Sequence, residues 1–376
     1  MKLTLKYIAF YRFQSFVIIL FLTVIFAVPI VNSTLSQAIV QRVEKRSESI
    51  PVVISNRGGK IKETLTSLFF MSQERNTTAI KNQDLDTLEG KGESVPLFLK
   101  YQTKVGPLVG TDLDFFSFHN YNLKKGDLFA FPGDVVIGAD LASQKKLKLG
   151  SLLKVQSQDA YSLNKSAPIP LTVVGILNKT NSPDDSAVFA NLQTTWILEG
   201  ILHGHDDEDK YKQENNKETV YSKSLKVHSN TEEKLLSFHF HGDPDSLPLT
   251  RILFRGTNHK QEVLVMDQVN NSPRLMAFRP RKPLSEILSV FFKVEEIFKA
   301  YHVFWSLCSL LMLFLVFSFV YQRRKNEFKT LIDLGGSQYF VFKQMGLLVL
   351  ICIVISLSLS LFISGVIHSL LRNLHL

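Results

Sequence analysis

Two hydrophobic segments near the end of the chain constrain its fold more than any other feature. Residues 303–321 and 345–367 contain no Asp, Glu, Lys, Arg or His. Each is close to the about 20 residues that an α-helix needs to cross a hydrocarbon core about 30 Å thick. The segments therefore predict two transmembrane helices joined by a short connector, residues 322–344.

A third hydrophobic segment, residues 13–31, follows Lys2, Lys6 and Arg12. A basic flank before an apolar run fits a cleaved signal peptide as well as a membrane anchor. The run is longer than the apolar centre of a typical signal peptide, and no small-x-small cleavage motif follows closely. We therefore expect residues 1–31 to form a cytoplasmic N-terminus and an uncleaved first transmembrane helix.

The distribution of positive charge predicts the orientation. Basic residues close to membrane segments favour the cytoplasmic side. They flank the first segment and recur in the connector as Arg323, Arg324, Lys325 and Lys329. Three crossings then place residues 32–302 and a short tail, residues 368–376, on the outer side of the membrane.

The net charge of +9 does not indicate a nucleic-acid-binding protein. The charges are spread along the chain, and no basic run alternates with stacking aromatic residues. Both cysteines, Cys308 and Cys352, lie inside hydrophobic segments. The outer region therefore has no disulfide and depends on its own hydrophobic core.

The outer region has the pattern of an α+β extracytoplasmic domain inserted between transmembrane helices. We expect helical stalks at residues 32–49 and 282–302, with the domain at residues 50–281 between them. Short β-branched runs predict strands, among them residues 108–118, 134–137, 151–156 and 169–177.

Two segments of this domain resemble a known family. VVIGADLASQKKLKLGSLLKV is followed by PLTVVGILNKTNSPDDSAVFANLQT. Together they are similar to the periplasmic core domain of the MacB/FtsX/LolC superfamily of ABC-transporter permeases. In that family a strand, a Gly, a small or acidic residue and Leu-Ala precede a Leu-x-x-Gly turn and a Val-Val-Gly-Ile strand.

The connector resembles the same family independently, in RRKNEFKTLIDLGGSQYFVFKQMGLL. In the family this segment is the cytoplasmic coupling helix that contacts the ATPase. The resemblance assigns that role to Arg323, Arg324, Glu327, Phe328, Leu331, Gly335 and Gly336. The alternative is a plain hairpin whose basic residues fix the topology and contact anionic lipid. These permeases usually have four spans, and the three predicted here leave open how the transmembrane dimer is completed.

The resemblance implies a permease subunit of the bacterial inner membrane that works with a cytoplasmic ABC ATPase and a second permease copy. Membrane lipid and a periplasmic adaptor or substrate-binding protein are further implied partners. The Walker A pattern is absent from the sequence. We therefore expect no enzymatic activity and no directly bound cofactor, with ATP acting through the partner ATPase.

A histidine- and acid-rich insertion at about residues 203–241 suggests an alternative function. It contains two His-x-His pairs, His203 with His205 and His239 with His241. Residues two apart on a strand share a face, so each pair could ligate Zn²⁺ or Cu²⁺. This would suit metal uptake or sensing, or a membrane-anchored metal hydrolase. The competing interpretation is a solvated loop.

Asp184 and Asp185 are a candidate acid pair, but a turn after Pro183 explains them more simply.

Overall fold

The computed structural model of the protein describes residues 8–71, 80–156, 170–202, 243–323, 325–335 and 337–373. The chain divides into two structural units. The helical unit comprises Met1–Gln41 and Leu288–Leu376, and the sheet domain comprises Arg42–Ile287.

The α-helices follow one another along the chain as α1 Arg12–Ser49, α2 Lys60–Phe69, α3 Gln83–Asp86, α4 Asp114–Phe118, α5 Ala139–Gln144, α6 Leu192–Leu198, α7 His259–Asn270, α8 Arg281–Arg323, α9 Lys325–Asp333 and α10 Gln338–Asn373. The strands are β1 Val52–Asn56, β2 Ile80–Lys81, β3 Gly92–Gln102, β4 Pro107–Thr111, β5 Leu123–Gly126, β6 Asp134–Ile137, β7 Leu152–Leu153, β8 Leu171–Leu177, β9 Val188–Asn191, β10 Pro248–Leu249, β11 Arg251–Gly256 and β12 Leu275–Phe278.

One large sheet organises the sheet domain. Its strand order is β12-β1-β11-β3-β4-β9-β6-β8-β5, and β7 pairs with β8. The pairs β4–β9 and β6–β8 are parallel, whereas the other pairs of this sheet are antiparallel. A separate pair joins β10 to β2. This mixed arrangement confirms the predicted combination of α and β structure.

Both faces of the central strands are buried. Leu97 and Leu99 of β3 lie in one hydrophobic cluster with Phe115 of α4. Phe98, between them, points to the other face and lies in a cluster with Trp196 and Val265. Successive residues of a strand point to opposite faces, so a strand covered on both sides needs a continuous apolar run.

In the helical unit, α1 packs against α10 through small residues. Cys352, Ser356 and Ser360 are spaced four apart on α10 and are each 0% exposed. The Ser356 hydroxyl donates a 3.1 Å hydrogen bond to the carbonyl oxygen of Ile19. Small and hydroxyl residues at this spacing let two membrane helices approach closely and bond across their contact. By length and composition α1, α8 and α10 could each span a membrane.

Two predicted strands differ in the structure. Residues 108–118 do not form one strand, because β4 ends at Thr111 and α4 follows from Asp114 to Phe118. The aromatic residues of this segment favour strands by propensity. Here a helical turn buries three rings together instead, those of Phe115, Phe116 and Phe118. The predicted strand 151–156 is reduced to β7 and a single antiparallel bridge between Val155 and Thr103.

Candidate functional site

The end of α1 carries an arginine that is buried in the sheet domain. The side chain of Arg46 is 3% exposed, and that of its partner Asp184 is 0% exposed. Arg46 Nη1 donates to Asp184 Oδ2 at 2.7 Å, and Nη2 donates to Oδ1 at 3.0 Å. Arg46 Nε donates to the carbonyl oxygen of Leu68 at 3.1 Å. This two-pronged contact is the strongest geometry that an arginine and a carboxylate can adopt.

Asp184 lies in a single turn of 3-10 helix, Pro183–Ser186, between β8 and β9. Its carboxylate also accepts hydrogen bonds from the hydroxyls of Ser182, at 2.8 Å, and Tyr121. Burial by itself would raise the pKa of Asp184. The charge of Arg46 and the hydroxyl donors outweigh burial, and the pKa is lowered. The carboxylate is therefore ionised at neutral pH.

The adjacent Asp185 shapes the loop that precedes this turn. Its carboxylate accepts hydrogen bonds from the backbone N–H groups of Thr180 and Asn181, each at 2.8 Å, and from the Thr180 hydroxyl at 2.9 Å. Asp184 and Asp185 thus have separate partners and do not form an acid pair. The predicted turn is present.

Gly138, which precedes α5, meets the same turn. A Cβ atom at this position would lie 2.3 Å from the carbonyl oxygens of Asp184 and Asp185. The backbone N–H of Gly138 also donates to the carbonyl oxygen of Ala187 at 3.0 Å. The two sequence segments that carry the family resemblance therefore contact each other here, and only a glycine fits.

His119 lies beside the hydrogen-bonded group formed by Arg46, Asp184 and Tyr121. Its ring stacks on that of Tyr121, with centroids 5.2 Å apart, and lies edge-on to Phe115 at 4.7 Å. Burial, followed by the charge of Arg46, lowers the pKa of His119 to about 3. The imidazole is therefore neutral and adds no second positive charge beside Arg46.

A second buried ion pair lies elsewhere in the sheet domain. Glu63 of α2 and Arg251 of β11 approach to 2.5 Å, with side-chain exposures of 5% and 2%. Burial raises the pKa of Glu63 against the opposing charge of Arg251, and burial lowers the pKa of Arg251. This pair links α2 to the sheet, and α2 also carries Leu68, the carbonyl acceptor of Arg46 Nε.

Asp112, which follows β4, is a buried carboxyl whose Oδ1 has no hydrogen-bond donor among the described residues. Burial, with the charge of Asp114, raises the pKa of Asp112 to about 7. A carboxyl whose pKa is higher in the folded than in the unfolded state destabilises the fold as pH rises between the two values. We therefore expect Asp112→Asn to raise the melting temperature by a few degrees at pH 8 and to leave it unchanged at pH 4. An equal shift at both pH values would contradict this assignment.

The structure places the described members of the predicted coupling set within α9 and directly before and after it. Arg323 is the last residue of α8, whereas Glu327, Phe328 and Leu331 lie within α9. Gly335 follows α9 with φ of 95°, and its N–H donates to the carbonyl oxygen of Ile332 at 2.9 Å. A glycine in this left-handed conformation is a common end to a helix. Arg324 and Gly336 lie outside the described residues.

The candidate metal ligands His203, His205, His239 and His241 also lie outside the described residues. Within the described ranges, no group of three or more His, Cys, Asp or Glu side chains could hold a metal ion. Metal binding by the two pairs stays a prediction.

Sequence reasoning missed the central residue of the site, Arg46. Arg46 falls within the predicted stalk, residues 32–49, to which no site residue was assigned. The sequence shows several charged residues at the end of the predicted stalk, Arg46 among them. Their local pattern does not indicate which of them is buried.

Comparison with known proteins identifies the family. The model of the MacB-like periplasmic core domain matches residues 16–221, more than half of the chain. The protein therefore belongs to the MacB/FtsX-type family of ABC transporter permeases. It is a membrane protein with an extracellular domain, and its family works with a partner ATPase.

The chain is also similar to solved structures, at low identity. The extracellular domain of the noncanonic ABC-type transporter YknZ from Gram-positive bacteria is 10% identical, with 60% of this chain and 98% of that chain covered and a TM-score of 0.33. The periplasmic region of MacB from Actinobacillus actinomycetemcomitans is 12% identical, with 64% and 94% covered and a TM-score of 0.34. A domain of a putative permease protein from Porphyromonas gingivalis is 9% identical, with 61% and 86% covered and a TM-score of 0.26. No curated protein matches the chain.

Proposed function

We propose that this permease passes ATP-driven movement of a cytoplasmic ATPase to its extracellular domain, for export, extraction or signalling at the outer face of the membrane. In this proposal the N-terminus and α9 are cytoplasmic, and α1, α8 and α10 cross the membrane. The chain itself does not hydrolyse ATP.

The continuity of α1 carries the proposal. This helix has 38 residues, which corresponds to a length of roughly 57 Å. Its apolar part is long enough to cross a membrane, and its last turns carry Arg46, which is buried in the sheet domain. Pro29 lies inside this helix and removes one backbone N–H donor. We infer that α1, with its end held in the sheet domain, passes movement on through its remaining backbone hydrogen bonds.

The cytoplasmic end of the proposed pathway is α9. Phe328, Leu331 and Ile332 fall on one face of this helix by their spacing. Ile332 is 38% exposed, and Leu334, which follows α9, is 81% exposed. An apolar face on a short helix between two transmembrane helices is suited to bind a groove on an ATPase, and the basic residues before it could pair with acidic groups there.

Further partners follow from the same proposal. A second permease copy would complete the transmembrane part, and lipid would cover the remaining apolar helix surfaces. A periplasmic adaptor or substrate-binding protein would meet the extracellular domain.

We expect the double substitution Glu327→Ala and Leu331→Asp to abolish stimulation of the ATPase that co-purifies with the permease. By sequence spacing alone, the change replaces an apolar residue of α9 by a charged one and removes one carboxylate. The measurement is ATP hydrolysis by the complex in detergent or nanodiscs, relative to the ATPase alone.

The matched control is Asp333→Asn, which lies away from the apolar face of the same helix and should leave stimulation intact. Full stimulation in the double variant would contradict the assigned coupling role. Labelling of a cysteine introduced at Thr330 by an impermeant reagent added outside intact cells would contradict the proposed orientation.

A further inference from the structure

We propose that Arg46 and Arg255 form a clamp that makes the Pro183–Ser186 turn follow the end of α1 as one rigid body. The role of this clamp in transmitting movement rests on the proposed function. The rigidity of the clamp does not, because it concerns only contacts within the sheet domain.

Arg46 forms the first arm of the clamp. A guanidinium is planar, and its donors are fixed in a fork. With two donors on the Asp184 carboxylate and a third on the Leu68 carbonyl oxygen, the contact restrains the orientation of Arg46 as well as its distance. Rotation of α1 about its axis would break all three hydrogen bonds.

Arg255 of β11 forms the second arm. Its Nη2 donates to the carbonyl oxygen of Ser49, the last residue of α1, at 3.2 Å. Its Nη1 donates to Glu93 Oε2 at 3.1 Å, and its guanidinium carbon lies 4.1 Å from the centroid of the Phe118 ring. A cation at the carboxyl end of a helix is favourable, because the last carbonyl groups there lack helical partners.

The two arms reach different parts of the large sheet. Arg255 belongs to β11, third in the order of nine strands, whereas the turn that holds Asp184 connects β8 and β9, which are eighth and sixth in that order. The turn is itself rigid, since Asp185 binds the preceding loop and the backbone of Gly138 lies against it. Displacement of the end of α1 would therefore be passed both to β11 and to the connection between β8 and β9.

The Glu63–Arg251 pair provides a comparison for this inference. It is also a buried arginine–carboxylate contact and also stabilises the domain, but it joins α2 to β11. If Asp184 acts only through stability, disruption of either pair should have the same consequence. If it acts as a joint, disruption of the Arg46–Asp184 contact should loosen the end of α1 much more than disruption of the Glu63–Arg251 pair.

Double electron–electron resonance on the full-length protein in nanodiscs distinguishes these cases. Spin labels on cysteines introduced at the exposed positions Lys45 of α1 and Gln144 of α5 report the distance across the joint, in a background in which Cys308 and Cys352 are replaced by Ser. We expect a single narrow distance distribution in this parent protein. In Asp184→Asn the width should at least double. In Glu63→Gln it should broaden clearly less, because Glu63 bears on Arg46 through the Leu68 carbonyl oxygen of α2 and not through the Asp184 carboxylate. Equal widths in the parent and Asp184→Asn, or equal broadening in both variants, would overturn the proposal.

Two milder variants test the proposal if Asp184→Asn does not fold. Arg46→Lys keeps the charge but loses the planar fork, and Tyr121→Phe removes one donor to Asp184 and leaves the ion pair. We expect Arg46→Lys to broaden the distribution clearly and Tyr121→Phe to broaden it less. Narrow distributions in both would overturn the clamp. ATP hydrolysis measured on the same samples tests the proposed function separately, since a loosened joint with full ATPase stimulation would argue against transmission and not against the clamp.

Discussion

Replacement of Asp184 by Asn is expected to lower the free energy of unfolding of the sheet domain by about 3–5 kcal/mol. The substitution preserves the shape of the side chain but leaves the guanidinium of Arg46 buried without an opposite charge. Removal of one member of a buried pair costs more than the pair contributes, because the remaining ion has lost its hydration. The hydroxyl of Tyr121 would also lose a charged acceptor.

The measurement is urea unfolding of the full-length protein in detergent, followed by the fluorescence of Trp196 in a Trp305→Phe background. Trp196 is 8% exposed, and its indole N–H donates to the carbonyl oxygen of Pro248 at 2.9 Å, so its emission reports the sheet domain. Asp267→Asn, on the exposed side of α7, is the control and should have almost no effect. A loss below about 1 kcal/mol in Asp184→Asn, the size of an exposed ion pair, would show that the contact is not a buried charge pair.

The contribution of Asp184 should also depend on pH. Its pKa is lower in the folded state than in the unfolded state, so the stability it adds is present above the unfolded value and is lost as pH falls through the folded one. The difference between the parent and Asp184→Asn should therefore be full at pH 7 and should shrink in strong acid.

Substitution of Gly138 by Ala is expected to cost about 3 kcal/mol, which is large for one added methyl group. The new Cβ would meet backbone atoms of Asp184 and Asp185 at 2.3 Å. Neither atom is the end of a flexible side chain, so the whole turn would have to move. That movement would also disturb the alignment of Asp184 with Arg46.

The same unfolding measurement tests this expectation. Gly59→Ala is the matched control, because a Cβ there would have no neighbour within 4 Å, and its effect should stay below about 1 kcal/mol. If Gly138→Ala were as mild as Gly59→Ala, the close approach of α5 to the turn would be wrong.

Part of this architecture follows from local sequence. Residues 303–321 and 345–367 lie inside α8 and α10, because length and the absence of charge are properties of a segment alone. Gly335, which follows α9, is also predictable from sequence, since a helix commonly ends at a glycine with positive φ. The two segments that carry the family resemblance contact each other in the fold, where Gly138 lies against the turn that holds Asp184.

The errors arose where tertiary contacts override local preference. The run from Leu108 to Phe118 is rich in residues that favour strands. Its second half is helical because Phe115 and Phe116 are buried together with Phe189 in the core.

The sequence alone determined which segments are apolar enough to enter a membrane, the sign of the charge beside them, and the family to which the chain belongs. Only the tertiary structure decided that Arg46 is buried and that its partner is Asp184, which lies 138 residues further along the chain. A charged residue on a helix looks alike in sequence whether it faces water or a carboxylate. The difference is set by which distant turn the folded sheet brings against that helix.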